Sequence, residues 1–172
     1  MKGLPRSLSR ANPSVAAVQK LSIPIDKSFD VTGATGVVQR ATAVVGDFPA
    51  GNILILGAVS YLRLSGPGGS ANLTDDFEGD YAFGSAPNAD TDLTDASDFD
   101  IIPATALPAA TAEVQPLTRA INAGQSILDN TDGSLEINLN ILIDADEVTN
   151  AQTVTIRAQG ALYLSYVVLG DD

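Results

Sequence analysis

The chain predicts an all-β fold: a jelly-roll-like β-sandwich of about eight strands, with an extended N-terminal arm ahead of it. Three observations carry this. Apolar residues recur with period two in several separate runs, and those runs are joined by Gly- and Pro-rich turns. No alternation of strands with long helical patterns points to a parallel α/β sheet. Charge divides the chain as well: residues 1–25 hold the bases Lys2, Arg6, Arg10 and Lys20 and no acid, whereas the remaining 147 residues hold five bases and all 21 acids. At 172 residues, one domain (21–172) behind an arm (1–20) is the default.

Residues 1–20 read as arm. Asn12 and Pro13 fit an N-cap and first helical position for a short helix through Val15–Gln19. From Leu21 the period becomes two. Leu21, Ile23, Ile25, Phe29 and Val31 share one face, and Ser22, Asp26, Ser28 and Asp30 the other. Pro24 assigns that strand to a sheet edge or a bulge. A turn at Gly33–Gly36 leads into a second strand over Val37–Val45, and Asp47–Gly51 is the next turn.

Ile53–Leu64 is apolar at both phases. It is predicted as a central strand covered on both sides, with Gly57 as a bend. Ser65–Ser70 is loop. Residues 75–100 contain nine acids and no base, with short strands expected at Tyr81–Phe83 and Phe99–Ile102. Glu113–Leu128 is predicted helical, with Pro116 and Gly124 as its weak points. Leu135, Ile137, Leu139, Ile141 and Ile143 alternate with Glu136, Asn138 and Asn140 in the cleanest strand pattern of the chain. After a turn at Asp144–Asn150, apolar residues keep one phase from Val154 to Val168. Gly160 lies in the middle, so this is one long strand or two strands meeting at a bulge.

Composition narrows the chemistry. The chain has no Cys and no His, which removes disulfides, thiolate ligands and the commonest general base together. No reaction motif is present, and a non-enzymatic, structural or binding role is expected. The net charge of −12 disfavours nucleic acid as partner of the body. The N-terminus has no apolar signal core, and the longest apolar run, Ile53–Val59, has seven residues, too short to span a bilayer. A soluble protein with no membrane partner is expected.

Asp129-Asn130-Thr131-Asp132-Gly133-Ser134 carries a fragment of a calcium loop, and Asp144-Ala145-Asp146-Glu147 gathers acids in one turn. Asp129, Asp132, Asp144, Asp146 and Glu147 are therefore the weak calcium candidates. A calcium loop of the helix-flanked kind needs ligands over about twelve residues and a closing bidentate Glu, so turns are the preferred reading. No metal and no cofactor are predicted. Asp75–Asp80 has the same character. A glycosidase carboxylate pair would also need an aromatic sugar platform, and the chain has no Trp. Asn72-Leu73-Thr74 matches a glycosylation pattern, without consequence where no export signal is read.

Gly79-Asp80-Tyr81-Ala82-Phe83-Gly84-Ser85-Ala86, Asp100-Ile101-Ile102-Pro103-Ala104-Thr105-Ala106-Leu107, the Leu128–Gly133 turn and the close at Leu169-Gly170-Asp171 are diffuse strand-and-turn patterns. Together, over Phe48 to Asp172, they resemble small structural proteins of tailed bacteriophages, of the kind encoded beside the major capsid protein. The resemblance implies a head decoration (cement) protein: a β-sandwich, commonly trimeric, that binds the outside of a capsid in the virion and clamps neighbouring capsomers. It implies the major capsid protein as partner, assembly in the host cytoplasm, and no catalytic residues. Arg6, Arg10 and Lys20 are then the candidate partner contacts. A tail or fibre component, and a secreted calcium- or carbohydrate-binding module, are the alternatives.

Overall fold

The structure, a computed structural model, describes residues 18–169. Those residues form nine strands: β1 (Gln19–Thr32), β2 (Gln39–Asp47), β3 (Ile53–Ser65), β4 (Gly79–Gly84), β5 (Ile102–Leu107), β6 (Thr118–Asn122), β7 (Ser126–Leu128), β8 (Glu136–Ile143) and β9 (Thr153–Val168). One sheet runs β1-β9-β3-β6, with β7 also on β3, and the other runs β2-β8-β4-β5. Strand partners nest from the ends of the chain inward: β1 with β9, β2 with β8, β3 with β6 and β7, β4 with β5. A long hairpin rolled so that successive strand pairs fall in opposite sheets gives this order, and it defines the jelly roll. The ninth strand arises because β6 and β7 share β3 as partner on either side of a break that contains Gly124.

Burial follows the period-two phases in β1 and β9. In β1 the odd positions Ile23, Ile25, Phe29 and Val31 are buried, and the strand lies at the end of its sheet, where Pro24 is tolerated. It begins at Gln19, so Gln19 and Lys20 are already strand. The short helix expected over Val15–Gln19 lies, apart from its end, outside the described residues.

Three expectations are corrected. Glu113–Leu128 is not a helix but the approach to β6, then β6 and β7. Glu113 has a left-handed backbone (φ 62°), Pro116 has no amide to donate, and β3 offers pairing partners to the segment that follows. The strand expected from Phe99 begins instead at Ile102. β3 is central in its sheet but is covered on its inner face only, since Leu54, Leu56, Val59 and Tyr61 remain partly exposed.

The core lies between the sheets, where Ile53, Ile55, Leu62 and Leu64 of β3 meet Tyr81 and Phe83 of β4 and Ile137, Leu139 and Ile141 of β8. Each such side chain contributes about 1.5–3 kcal/mol by leaving water. β8 is buried on its other face too, by residues 85–100. The Asn140 amide there donates to the carbonyls of Ala86 and Asp98, both at 3.0 Å, and its oxygen accepts from the Asn88 amide at 2.9 Å. Leu93 packs beside it against Ala82 and Leu142.

Candidate functional site

The outer face of the β1-β9-β3-β6 sheet changes character along its length. Register places Ser22, Tyr163, Val59 and Ile121 side by side across the four strands. The next row is Pro24, Ala161, Tyr61 and Arg119, and beyond the other side Leu54 lies beside Ile127. These rows form an apolar end. Tyr163 and Ile121 are each 48% exposed and Ile127 65%. The Tyr61 and Tyr163 rings meet edge-on with centroids 6.3 Å apart.

Further along, the same face turns polar and its side chains are partnered with one another. Arg157 forms a two-pronged ion pair with Asp26 at 2.6 and 2.7 Å, and the Thr155 hydroxyl donates to Asp30 at 2.7 Å. Arg63 donates to Gln159 at 3.2 Å, and the Thr32 and Thr153 hydroxyls share a 2.8 Å hydrogen bond. The Arg157 guanidinium, mainly through its hydrogen bonds, holds the Asp26 carboxyl below the usual carboxylate range.

A groove of about 510 Å³ opens in the apolar end, lined among others by Leu56, Val59, Ile121 and Tyr163, with Lys20 also on its wall. A bulge helps to make it: Ile55 pairs with Tyr166 and Gly57 with Ser165, so Leu56 is an extra residue on β3. Among the described residues no carboxylate lines this groove, Lys20 is on its wall and Arg119 is one row away.

Lys20, one of the three predicted partner contacts, therefore sits on β1 opposite Ser165, at the groove. Arg6 and Arg10 lie outside the described residues. The calcium candidates fall in two separate turns. Asp129 accepts from the Thr131 amide and hydroxyl, and Asp132 from the Ser134 amide and hydroxyl, so both carboxylates serve their own turns. Ser134 keeps the Asp132 carboxyl below its usual range. Asp146 accepts from the Gly36 amide at 2.7 Å, and Glu147 from the Thr74 hydroxyl. Among the described residues, no three or more acids gather in a way that could hold a metal ion.

No protein-family model and no curated protein sequence matches the chain. Solved structures do. The infectious bursal disease virus VP2 subviral particle matches at 11% identity and a TM-score of 0.44, over 86% of this chain and 32% of that one. The cyanophage Pam1 capsid asymmetric unit matches at 15% identity and a TM-score of 0.38, over 86% and 85%. The BFDV capsid protein, crystallised as a 60-mer, matches at 10% identity and a TM-score of 0.40, over 92% and 97%. This chain thus spans about a third of the viral chain that heads the group. The strand order above, not these likenesses, assigns the jelly roll.

Sequence reasoning missed two sets of residues. Asn138 and Asn140 read as a solvent-facing row on β8, yet both are buried, Asn140 beneath Ala86, Asn88 and Asp98, and Asp98 is buried with it. The outer face of β3 reads as core because its second phase is apolar. Apolarity at both phases marks a strand with two faces to cover, and it does not say whether the same chain covers them. Among the described residues no helix is long and apolar enough to cross a membrane.

Proposed function

We propose that this protein is a non-enzymatic structural component of a bacteriophage virion, a decoration protein that binds the outer surface of the capsid and clamps neighbouring capsomers. One observation carries the reading: a jelly roll whose described residues leave an apolar face exposed follows a segment, residues 1–17, that holds Lys2, Arg6 and Arg10 and no acid. The resemblance to small phage head proteins, carried by Gly79–Ala86, Asp100–Leu107, the Leu128–Gly133 turn and Leu169-Gly170-Asp171, supports it. The partner is the major capsid protein, assembly takes place in the host cytoplasm, and the protein works as a homo-oligomer, a trimer. A clamp that binds only the assembled shell stabilises it by mass action, by about 2.7 kcal/mol per site at a free concentration 100 times its dissociation constant.

The test is restoration. Particles stripped of the protein should disrupt at lower temperature, and adding it back should restore the threshold. Equal melting of stripped and decorated particles would remove the cement reading. Labelled protein found on the tail would favour a tail or fibre component.

A further inference from the structure

We infer that the apolar end of the outer β1-β9-β3-β6 face is where one copy of this chain docks on another. The inference rests on the homo-oligomer part of the proposed function and deepens it by assigning the contact to Tyr163, Val59, Ile121 and the groove beside Lys20. The first support is contrast within a single face. The polar end satisfies its own side chains through the Asp26–Arg157, Asp30–Thr155 and Arg63–Gln159 contacts, whereas the apolar end leaves Tyr163, Ile121 and Ile127 half-exposed or more. Contiguous exposed apolar rows of this kind mark interaction surfaces.

Charge selects the occupant. Among the described residues the groove has no carboxylate on its wall, and Lys20 and Arg119 lie beside it. Its complement is an apolar surface rimmed by acids. A second copy meets that requirement on its other sheet, where Val38, Leu93 and Leu142 line a hollow together with Asp80, Asp92 and Asp144. Residues 1–17 do not, since Lys2, Arg6 and Arg10 have the same sign as the groove rim. A contact in which this face meets a different, acidic surface of the next copy is heterologous, the kind that closes a ring.

The chain has no cysteine, so single cysteines report on the face directly. Ile121→Cys and Tyr163→Cys sit on the apolar end, and Thr155→Cys on the polar end serves as reference. Maleimide labelling of the free protein should be roughly tenfold slower at the first two sites at concentrations well above the dissociation constant, and the protection should vanish on dilution. Tyr163→Glu should weaken association roughly 30-fold by light scattering, with an unchanged far-ultraviolet circular dichroism spectrum.

Protection that persists after residues 2–17 are deleted supports a second copy. Protection lost with that deletion would make the arm the occupant and overturn the inference. So would protection that appears only on capsids. An oligomer by scattering with both cysteines freely labelled would reject this face and leave the assembly reading standing. A monomer at every concentration would remove both.

Discussion

Ser60 and Tyr81 share a 2.9 Å hydrogen bond at the centre of the sandwich, tying β3 of one sheet to β4 of the other. Both residues have no exposed surface. A hydroxyl in an apolar core loses water on both sides of the bond, so each is the other's compensation. Burial pushes the Tyr81 hydroxyl pKa up, and the bond to Ser60 pulls against that rise.

Tyr81→Phe should destabilise the fold by about 1–3 kcal/mol, because it leaves the Ser60 hydroxyl buried with its partner removed. Ser60→Ala should act in the same direction. The double variant should lose less than the sum of the two, with a coupling of about 0.5–3 kcal/mol, measured by urea denaturation. Strict additivity would mean that the two hydroxyls do not depend on each other.

The strands were legible in the sequence wherever one phase was apolar and the other was not, as in β1 and β9, because burial on one face imposes that alternation. What could not be read was the cover. Asn140 looks like a solvent-facing residue because its type is polar. Only the folded chain brings Ala86, Asn88 and Asp98 over it, from more than 40 residues away. The helix error at Glu113 has a similar root. The Glu113 side chain is completely buried, and its carboxylate accepts from the Gly68 amide at 2.9 Å and the Ser70 amide at 2.5 Å, so it anchors a distant loop. Lys20 was read as part of the arm and lies on the groove, since the strand starts before its alternation becomes visible.

Glu113→Ala should cost about 2–4 kcal/mol, since it removes the acceptor for two amides of the Gly66–Ser70 loop. Amide hydrogen exchange at Gly68 and Ser70 should accelerate more than in the core strands. Glu113→Gln should keep part of the effect, as one amide oxygen replaces two carboxylate oxygens. Unchanged exchange at both amides in the Ala variant would show that the loop holds itself.

β9 is the single long strand, not two strands meeting at a bulge, and it runs through Gly160 in register with both Ile25 and Leu62. The glycine is required for a steric reason. A Cβ at that position would collide with the Tyr61 carbonyl oxygen on β3. Gly160→Ala should therefore destabilise by about 3 kcal/mol or more by forcing β3 and β9 apart. A denaturation midpoint like that of the parent chain would contradict this.

Acidification should first stabilise the fold and then destabilise it. Asp98 is 3% exposed and one of its carboxylate oxygens has no hydrogen-bond partner. Burial, with smaller contributions from Asp95, Asp90 and Asp92, raises its pKa above 3.8. Asp80 and Asp100 shift the same way, both chiefly through burial. A raised folded pKa means that the folded state binds the proton more tightly, so the stability is present below 3.8 and is lost as pH rises through the folded value. Asp26 and Asp132 are lowered, and their contribution is lost as pH falls below 3.8. Asp98→Asn should raise the thermal midpoint at pH 7 and narrow the gain seen on mild acidification. An unaltered slope of stability against pH between 4 and 7 would show that Asp98 does not titrate in that window.

The three predicted partner contacts should separate by function. Arg6 and Arg10 precede the folded core, whose residues run from Ile23 to Tyr166, so deleting residues 2–17 should change stability by less than about 0.5 kcal/mol. The same deletion should lower occupancy on capsids. It should also flatten the salt dependence of binding, because exposed cations speed encounter through fields that ions screen over about 10 Å at 0.1 M salt. Lys20 belongs to β1 and to the groove wall. Lys20→Ala should therefore weaken association between copies more than attachment to capsids, whereas Arg6→Ala with Arg10→Ala should do the reverse. Parallel measurements of light scattering on free protein and of copy number on particles check this. If all three substitutions reduce both quantities together, docking between copies and docking on the shell are one event, and the division between arm and groove fails.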